Sequence, residues 1–226
     1  MEKMSEQRWL PLESNPDVLN KYAYGLGMPQ SWEFVDIYGL DPDLLGMVPQ
    51  PVKAVVLLYP INEKSESQPI GSVKPNEKIY HIKQTIGNAC GTIAMVHTLA
   101  NNADQIQFED GKPFQKFLEA TLELSPAERA TYLEGDKGMG SAHEDIAQEG
   151  QTQAPSRDEK VSTHFVALID KDGELYELDG RKDGPVLHGK TTPDTLLQDA
   201  VAVVKQFMAR DPDELNFTLM ALVRKG

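Results

Sequence analysis

Apolar positions along the chain predict alternating helices and strands. Ser14 or Asn15 can cap a helix with Pro16 at its first position. Val18, Leu19, Tyr22 and Ala23 form its apolar stripe, and Gly25 and Gly27 stop it. Phe34–Tyr38 reads as a short strand, and Asp41 opens a brief helix that Pro49-Gln50-Pro51 halts. Ala54–Tyr59 is apolar at every position, the pattern of a central strand covered on both faces. Asn62–Glu77 is polar, carries two prolines and reads as a surface loop. Ile93, Val96, Leu99 and Ala100 then recur at helical spacing. Further helices are predicted over Pro113–Ala120 and Ser125–Leu133, the second opened by the capping box Ser125/Glu128.

Gly135–Glu159 breaks this rhythm. Rich in glycine, glutamine and acids, it shows no apolar period and is expected to be a long functional loop. Val161–Asp170 and Glu174–Asp179, joined by Lys171-Asp172-Gly173, form a hairpin signal. Thr192-Pro193-Asp194 opens a helix through Leu196, Leu197, Ala200, Val203 and Val204, and Phe217–Val223 reads as a closing strand.

Composition narrows the class. The 226 residues are 40% apolar and 25% charged, ordinary for a globular chain of one domain. A net charge of −13 argues against a nucleic-acid surface and suits a basic partner, or simply solubility. The opening residues hold no apolar signal segment, and the longest apolar run is too short to cross a bilayer. With a single cysteine, this points to a reducing compartment, most simply the cytosol.

That cysteine, Cys90, stands in Gln84-Thr85-Ile86-Gly87-Asn88-Ala89-Cys90-Gly91-Thr92, where a polar loop gives way to the helical pattern. A lone thiol is either core filler or a reactive group. At a helix N-terminus the unpaired N–H groups and the dipole favour thiolate. The hairpin offers a base. If its two-residue turn is Lys171-Asp172, His164 and Asp179 face each other, and if it is Asp172-Gly173 they lie diagonally on one face. A carboxylate that orients an imidazole beside a thiol is the nucleophile–base–orienter arrangement of cysteine peptidases. Gln84 can fold back to donate to a developing oxyanion together with the Cys90 N–H, although on its own it could be an ordinary loop residue. His81, His97, His143 and His188 read as structural or solvated, with His188 in a turn. No histidine–carboxylate set has metal spacing, and no cofactor is expected.

Gln84–Thr92, His164-Phe-Val-Ala-Leu and Leu175-Tyr-Glu-Leu-Asp179-Gly-Arg-Lys together resemble the ubiquitin C-terminal hydrolases, papain-like thiol peptidases, and most closely the small single-domain members. The resemblance spans nearly the whole chain. It implies an α/β fold (α/β/α) with a central antiparallel sheet and a knotted path. It further implies a catalytic set of Cys90, His164, Asp179 and Gln84, and a crossover loop at about 135–159 that limits substrates to small or flexible ubiquitin adducts. Ubiquitin contacts are implied at Pro11, Leu12, Glu13 and Asp36, at Ala147, Gln148, Glu149, Gly150 and Gln151, and at Leu215 and Phe217. The expected activity is hydrolysis at the C-terminal glycine of ubiquitin by a cytoplasmic monomer that needs no cofactor, metal, membrane or nucleic acid. A preference for NEDD8, or sequestration of mono-ubiquitin with little turnover, stays open.

Overall fold

The computed structural model describes residues 6–150, 156–157, 159 and 161–225. Helix α1 (Pro16–Leu26) is capped by the Asn15 side chain, which accepts from the Asp17 N–H. It ends at Gly27, whose φ of 111° only glycine adopts freely. Strand β1 (Trp32–Asp36), the single turn α2 (Pro42–Leu45) and strand β2 (Val52–Pro60) follow as the sequence predicts. The expected loop Asn62–Glu77 is partly ordered into α3 (Glu63–Ser67) and the two-residue strand β3 (Ser72–Val73). An Asn62/Ser65 capping box gives so short a polar helix its termination, a signal that apolar periodicity does not carry.

Helix α4 (Cys90–Ala100) is buried at every position from Gly91 to Leu99, as a helix through the middle of a core must be. Helices α5 (Pro113–Thr121) and α6 (Pro126–Gly135) start at the predicted prolines. The Gly135–Glu159 expectation is corrected over most of its first half by α7 (Lys137–Ala147). Asp136 caps it by accepting from the Met139 N–H, while Met139, His143, Ile146 and Ala147 line one buried face. That face went unseen because a histidine supplies one of its four contacts and two glycines dilute the stripe.

Strands β4 (Thr163–Lys171) and β5 (Glu174–Leu178) form the predicted hairpin, closed by Asp172 and Gly173 at φ 53° and 78°. Two positive φ values in a two-residue loop suit the right-handed twist of the flanking strands. Strand β6 (Val186–Lys190) replaces the turn expected around His188, which lies within it. Helix α8 (Leu196–Ala209) and strand β7 (Thr218–Arg224) complete the chain.

Among the described residues seven strands form one antiparallel sheet in the order β1-β7-β2-β4-β5-β6-β3. Strand β2 lies between β7 and β4, which explains why Ala54–Tyr59 is apolar on both faces. Ala54, Val56, Phe165, Ala167 and Ile169 face the core built around α1 and α4. Val55, Leu57, Val166 and Leu168 face the core built around α8. Helices thus cover both faces, and the N-terminus of α4 abuts the beginning of β4.

Candidate active site

Cys90 is the first residue of α4, and no side chain caps that helix end. From the first turn, the Gly91 N–H reaches the sulfur. The side chain is half-buried, so the sulfur is shielded yet reachable. Burial pushes its pKa up. The His164 hydrogen bond and charge, with the backbone amides of Phe165 and Gly91, outweigh that penalty and leave it below its ordinary value.

His164 sits at the start of β4 and Asp179 just past the end of β5. The turn at Asp172-Gly173 selects the diagonal arrangement of the pair. His164 Nε2 donates to Asp179 Oδ1 at 2.7 Å, both side chains being almost wholly buried. This fixes the tautomer and leaves Nδ1 for the sulfur. Burial opposes the imidazolium, but the Asp179 charge and hydrogen bond, with the hydrogen bond and charge of Cys90, raise its pKa to about 9. Asp179 is itself pushed up by burial and held well below the usual carboxylate range by His164 and by the Arg181 backbone N–H at 2.8 Å. The result favours a thiolate–imidazolium pair at neutral pH.

The Asp179 backbone is anchored too. Its carbonyl accepts from His81 Nε2 at 3.0 Å and from the Lys182 N–H at 3.1 Å. The next carbonyl, Gly180, accepts from the Gln84 N–H at 2.8 Å. A Cβ on Gly180 would lie 2.8 Å from Ile93 and 2.9 Å from the Gln84 Cβ, so glycine alone lets this loop close on α4. Gln84 Nε2 donates to the Ile86 carbonyl at a long 3.3 Å, and its Oε1 is buried without a partner. One amide hydrogen is thus left for a ligand. The structure brings Cys90, His164 and Asp179 together directly and ties Gln84 to the same loop as Asp179.

A family model described as "Ubiquitin carboxyl-terminal hydrolase, family 1" matches residues 9–209. The chain is 59% identical to a ubiquitin carboxyl-terminal hydrolase of Aplysia californica, over 92% of this chain and 99% of that protein. It is 46% identical to ubiquitin carboxyl-terminal hydrolase 3 of Arabidopsis thaliana, over 99% and 97%. The chain belongs to this family. The fold is likewise similar to the catalytic domain of Trichinella spiralis UCH37 bound to ubiquitin vinyl methyl ester. The TM-score is 0.79 at 22% identity, covering 98% of this chain and 97% of that one.

The expected contact residues lie in three places. Pro11 and Glu13 are half-buried, whereas Leu12 is buried, packed on Gly91 beside Cys90. Gly150 approaches Glu13, so the N-terminal segment and the stretch after α7 share one rim. Gln148 and Glu149 are exposed, Glu149 pairs with Lys21 at 3.0 Å, and Ala147 is buried at the end of α7. Gln151 lies outside the described residues. Asp36 lines a groove of about 650 Å³ with Asp17, Glu33 and Tyr38. Burial, then the charge of Asp17, raises its pKa. Leu215 is 85% exposed and Phe217 half-buried.

Reading the sequence missed the supports. His81, Gly180 and the Arg181 amide place Asp179, and the Tyr59 ring stands edge-on to His164 at 6.0 Å. Asn88, at φ 62°, donates to the Trp9 carbonyl at 3.1 Å and so ties the turn before Cys90 to the N-terminal segment. A left-handed Asn two residues before a nucleophile is visible in sequence only as a turn-prone residue.

Proposed function

We propose that the protein is a thiol-dependent hydrolase that cleaves amide, ester or thioester bonds at the C-terminal glycine of ubiquitin. The observation that carries this reading is the buried His164–Asp179 hydrogen bond, which leaves His164 Nδ1 on the sulfur of Cys90 in a chain of this family. The Cys90 thiolate attacks the glycine carbonyl. The oxyanion takes hydrogen bonds from Gln84 Nε2 and the Cys90 N–H. His164 gives its proton to the leaving group, and the acyl-enzyme remains. Water then attacks while His164 accepts its proton, and ubiquitin leaves with the second collapse.

Acidic groups at Asp17, Glu33 and Asp36 suit a basic ubiquitin tail, and the rim formed by Pro11–Glu13 and Gln148–Gly150 suits the ubiquitin body. The described part of the expected crossover loop beyond α7, Gln148–Gly150, is read as limiting the cleft to small or flexible leaving groups. A monomer in the reducing cytosol fits the single thiol. Among the described residues no helix is long and apolar enough to cross a membrane.

An electrophilic ubiquitin C-terminal probe tests this reading. It should label the protein once, and Cys90→Ala and His164→Ala should abolish labelling. An adduct surviving Cys90→Ala would sink the mechanism. Equal kcat/KM on fluorogenic C-terminal amides of ubiquitin and NEDD8 would overturn the ubiquitin preference. Labelling without turnover of the amide would indicate sequestration.

A further inference from the structure

A buried polar chain runs from α1 to the N-terminal segment through the nucleophile helix. Tyr22 Oη lies 2.8 Å from Thr92 Oγ1, and Thr92 Oγ1 lies 2.7 Å from His143 Nδ1. His143 Nε2 lies 2.6 Å from the Leu10 carbonyl oxygen. The directions of all three bonds follow from chemistry. A carbonyl only accepts, so Nε2 carries the proton. In the neutral ring Nδ1 is then an acceptor, so Thr92 donates to it and Tyr22 must donate to Thr92. Every donor in the chain is used once. Burial keeps the His143 pKa down at about 4, so the neutral ring persists across the working range.

This chain is the inner half of a longer seam. Arg8 pairs with Gly87, the Trp9 N–H donates to the Gly87 carbonyl at 2.9 Å, and Asn88 donates to the Trp9 carbonyl. Leu12 rests on Gly91, and the Trp9 ring packs on His143 with centroids 4.4 Å apart. Residues 8–12 therefore track residues 87–92 across the nucleophile. From α7, His143 hydrogen-bonds both sides of this seam, while Gly140 lies against the Trp9 ring and Glu144 holds Arg157, which donates to the Arg8 carbonyl.

We propose that His143 is a positioning residue for substrate. Its ring clamps Leu10 to Thr92, so that ubiquitin held by Pro11–Glu13 presents its C-terminal carbonyl in register with Cys90. This inference rests on the reading of Pro11–Glu13 as a ubiquitin contact. His143 touches neither substrate nor the reacting atoms, and its effect falls on substrate placement.

Steady-state kinetics on a fluorogenic ubiquitin C-terminal amide test it, with iodoacetamide alkylation of Cys90 in parallel. His143→Asn keeps an acceptor for Thr92 and severs Leu10, while Thr92→Val severs the other end. Each should raise KM about threefold to tenfold, the share of one buried hydrogen bond, with kcat and the alkylation rate within about twofold. The double variant should be no worse than either single variant, because both cut one chain. Thr92→Ser, which keeps the hydroxyl, should restore KM and keeps the test decisive if His143→Asn fails to fold. Unchanged KM in the single variants, multiplying effects in the double variant, or falls in kcat and alkylation together would overturn the proposal. Glu13→Arg separates the two layers. If it raises KM while the His143 and Thr92 variants do not, only the positioning role falls. If it leaves KM unchanged, the contact reading falls and this inference with it.

Discussion

Asp179→Asn removes one charge from the centre of the site and keeps the shape. The carboxamide oxygen can still accept from His164 Nε2 at the present 2.7 Å and from the Arg181 N–H at 2.8 Å. What disappears is the anion that raises His164 to about 9. The sign follows directly. Burial already lowers the imidazolium pKa, so without the Asp179 charge the value falls, with Cys90 alone left to raise it. Each pKa unit lost is about 1.4 kcal/mol, or about tenfold in the ratio of thiolate–imidazolium to thiol–imidazole. Activity in the parent protein should fall at acid pH as the Cys90 thiolate is protonated, and at alkaline pH as His164 loses its proton near 9. In Asp179→Asn the alkaline limb should move well to the acid side of 9. Two assays report it: the pH profile of kcat/KM on a ubiquitin C-terminal amide, and the pH dependence of iodoacetamide alkylation. Because Cys90 is the only cysteine, alkylation reads the nucleophile alone. An alkaline limb that stays near 9 in the variant would refute the claim that Asp179 holds the proton on His164.

Gln84→Ala should lower kcat about 10²–10³-fold with KM little changed, since the amide acts on charge that appears only in the transition state. An equal rise in KM would show that Gln84 serves ground-state binding instead. Gly180→Ala places a methyl group 2.9 Å from the Gln84 Cβ and 2.8 Å from Ile93, so it should cost about 1–3 kcal/mol in chemical denaturation and lower kcat. Full activity in that variant would show that the close approach is not needed. Arg129 donates to the carbonyls of Thr121, Leu122 and His81 and stacks on Tyr80 at 3.9 Å. A lysine cannot reach all three, so Arg129→Lys should cost about 2 kcal/mol in stability, read by urea unfolding, with kcat retained.

Much of this protein was legible from its sequence alone, and for local reasons. Helix starts at Asn15-Pro16 and Ser125-Pro126, a hairpin turn within Lys171–Gly173 and the double-faced apolar run Ala54–Tyr59 are each specified by neighbouring residues, while the sheet register chose Asp172-Gly173. Strand alternation put His164 and Asp179 on one face under either two-residue turn, and local sequence placed Cys90 at a helix start. Where local pattern is weak, the reading fell short. In α7 a buried face includes a histidine held by Thr92 and the Leu10 carbonyl, partners that lie 51 and 133 residues away. His188 reads as a turn residue until the sheet forms around it and Glu177 accepts from its Nε2 at 2.8 Å. Strand β6 exists because its neighbours β5 and β3 supply its hydrogen bonds. The tertiary structure alone decided how the pieces meet: that His81 and Gly180 hold the Asp179 loop against Gln84, and that residues 8–12 seam the nucleophile turn. A backbone carbonyl or a missing Cβ has no sequence signature of its own. Such contacts are specified only when distant segments close on one another. The sequence could therefore point to Cys90, His164 and Asp179 as candidates, while packing set their distances, charges and reach.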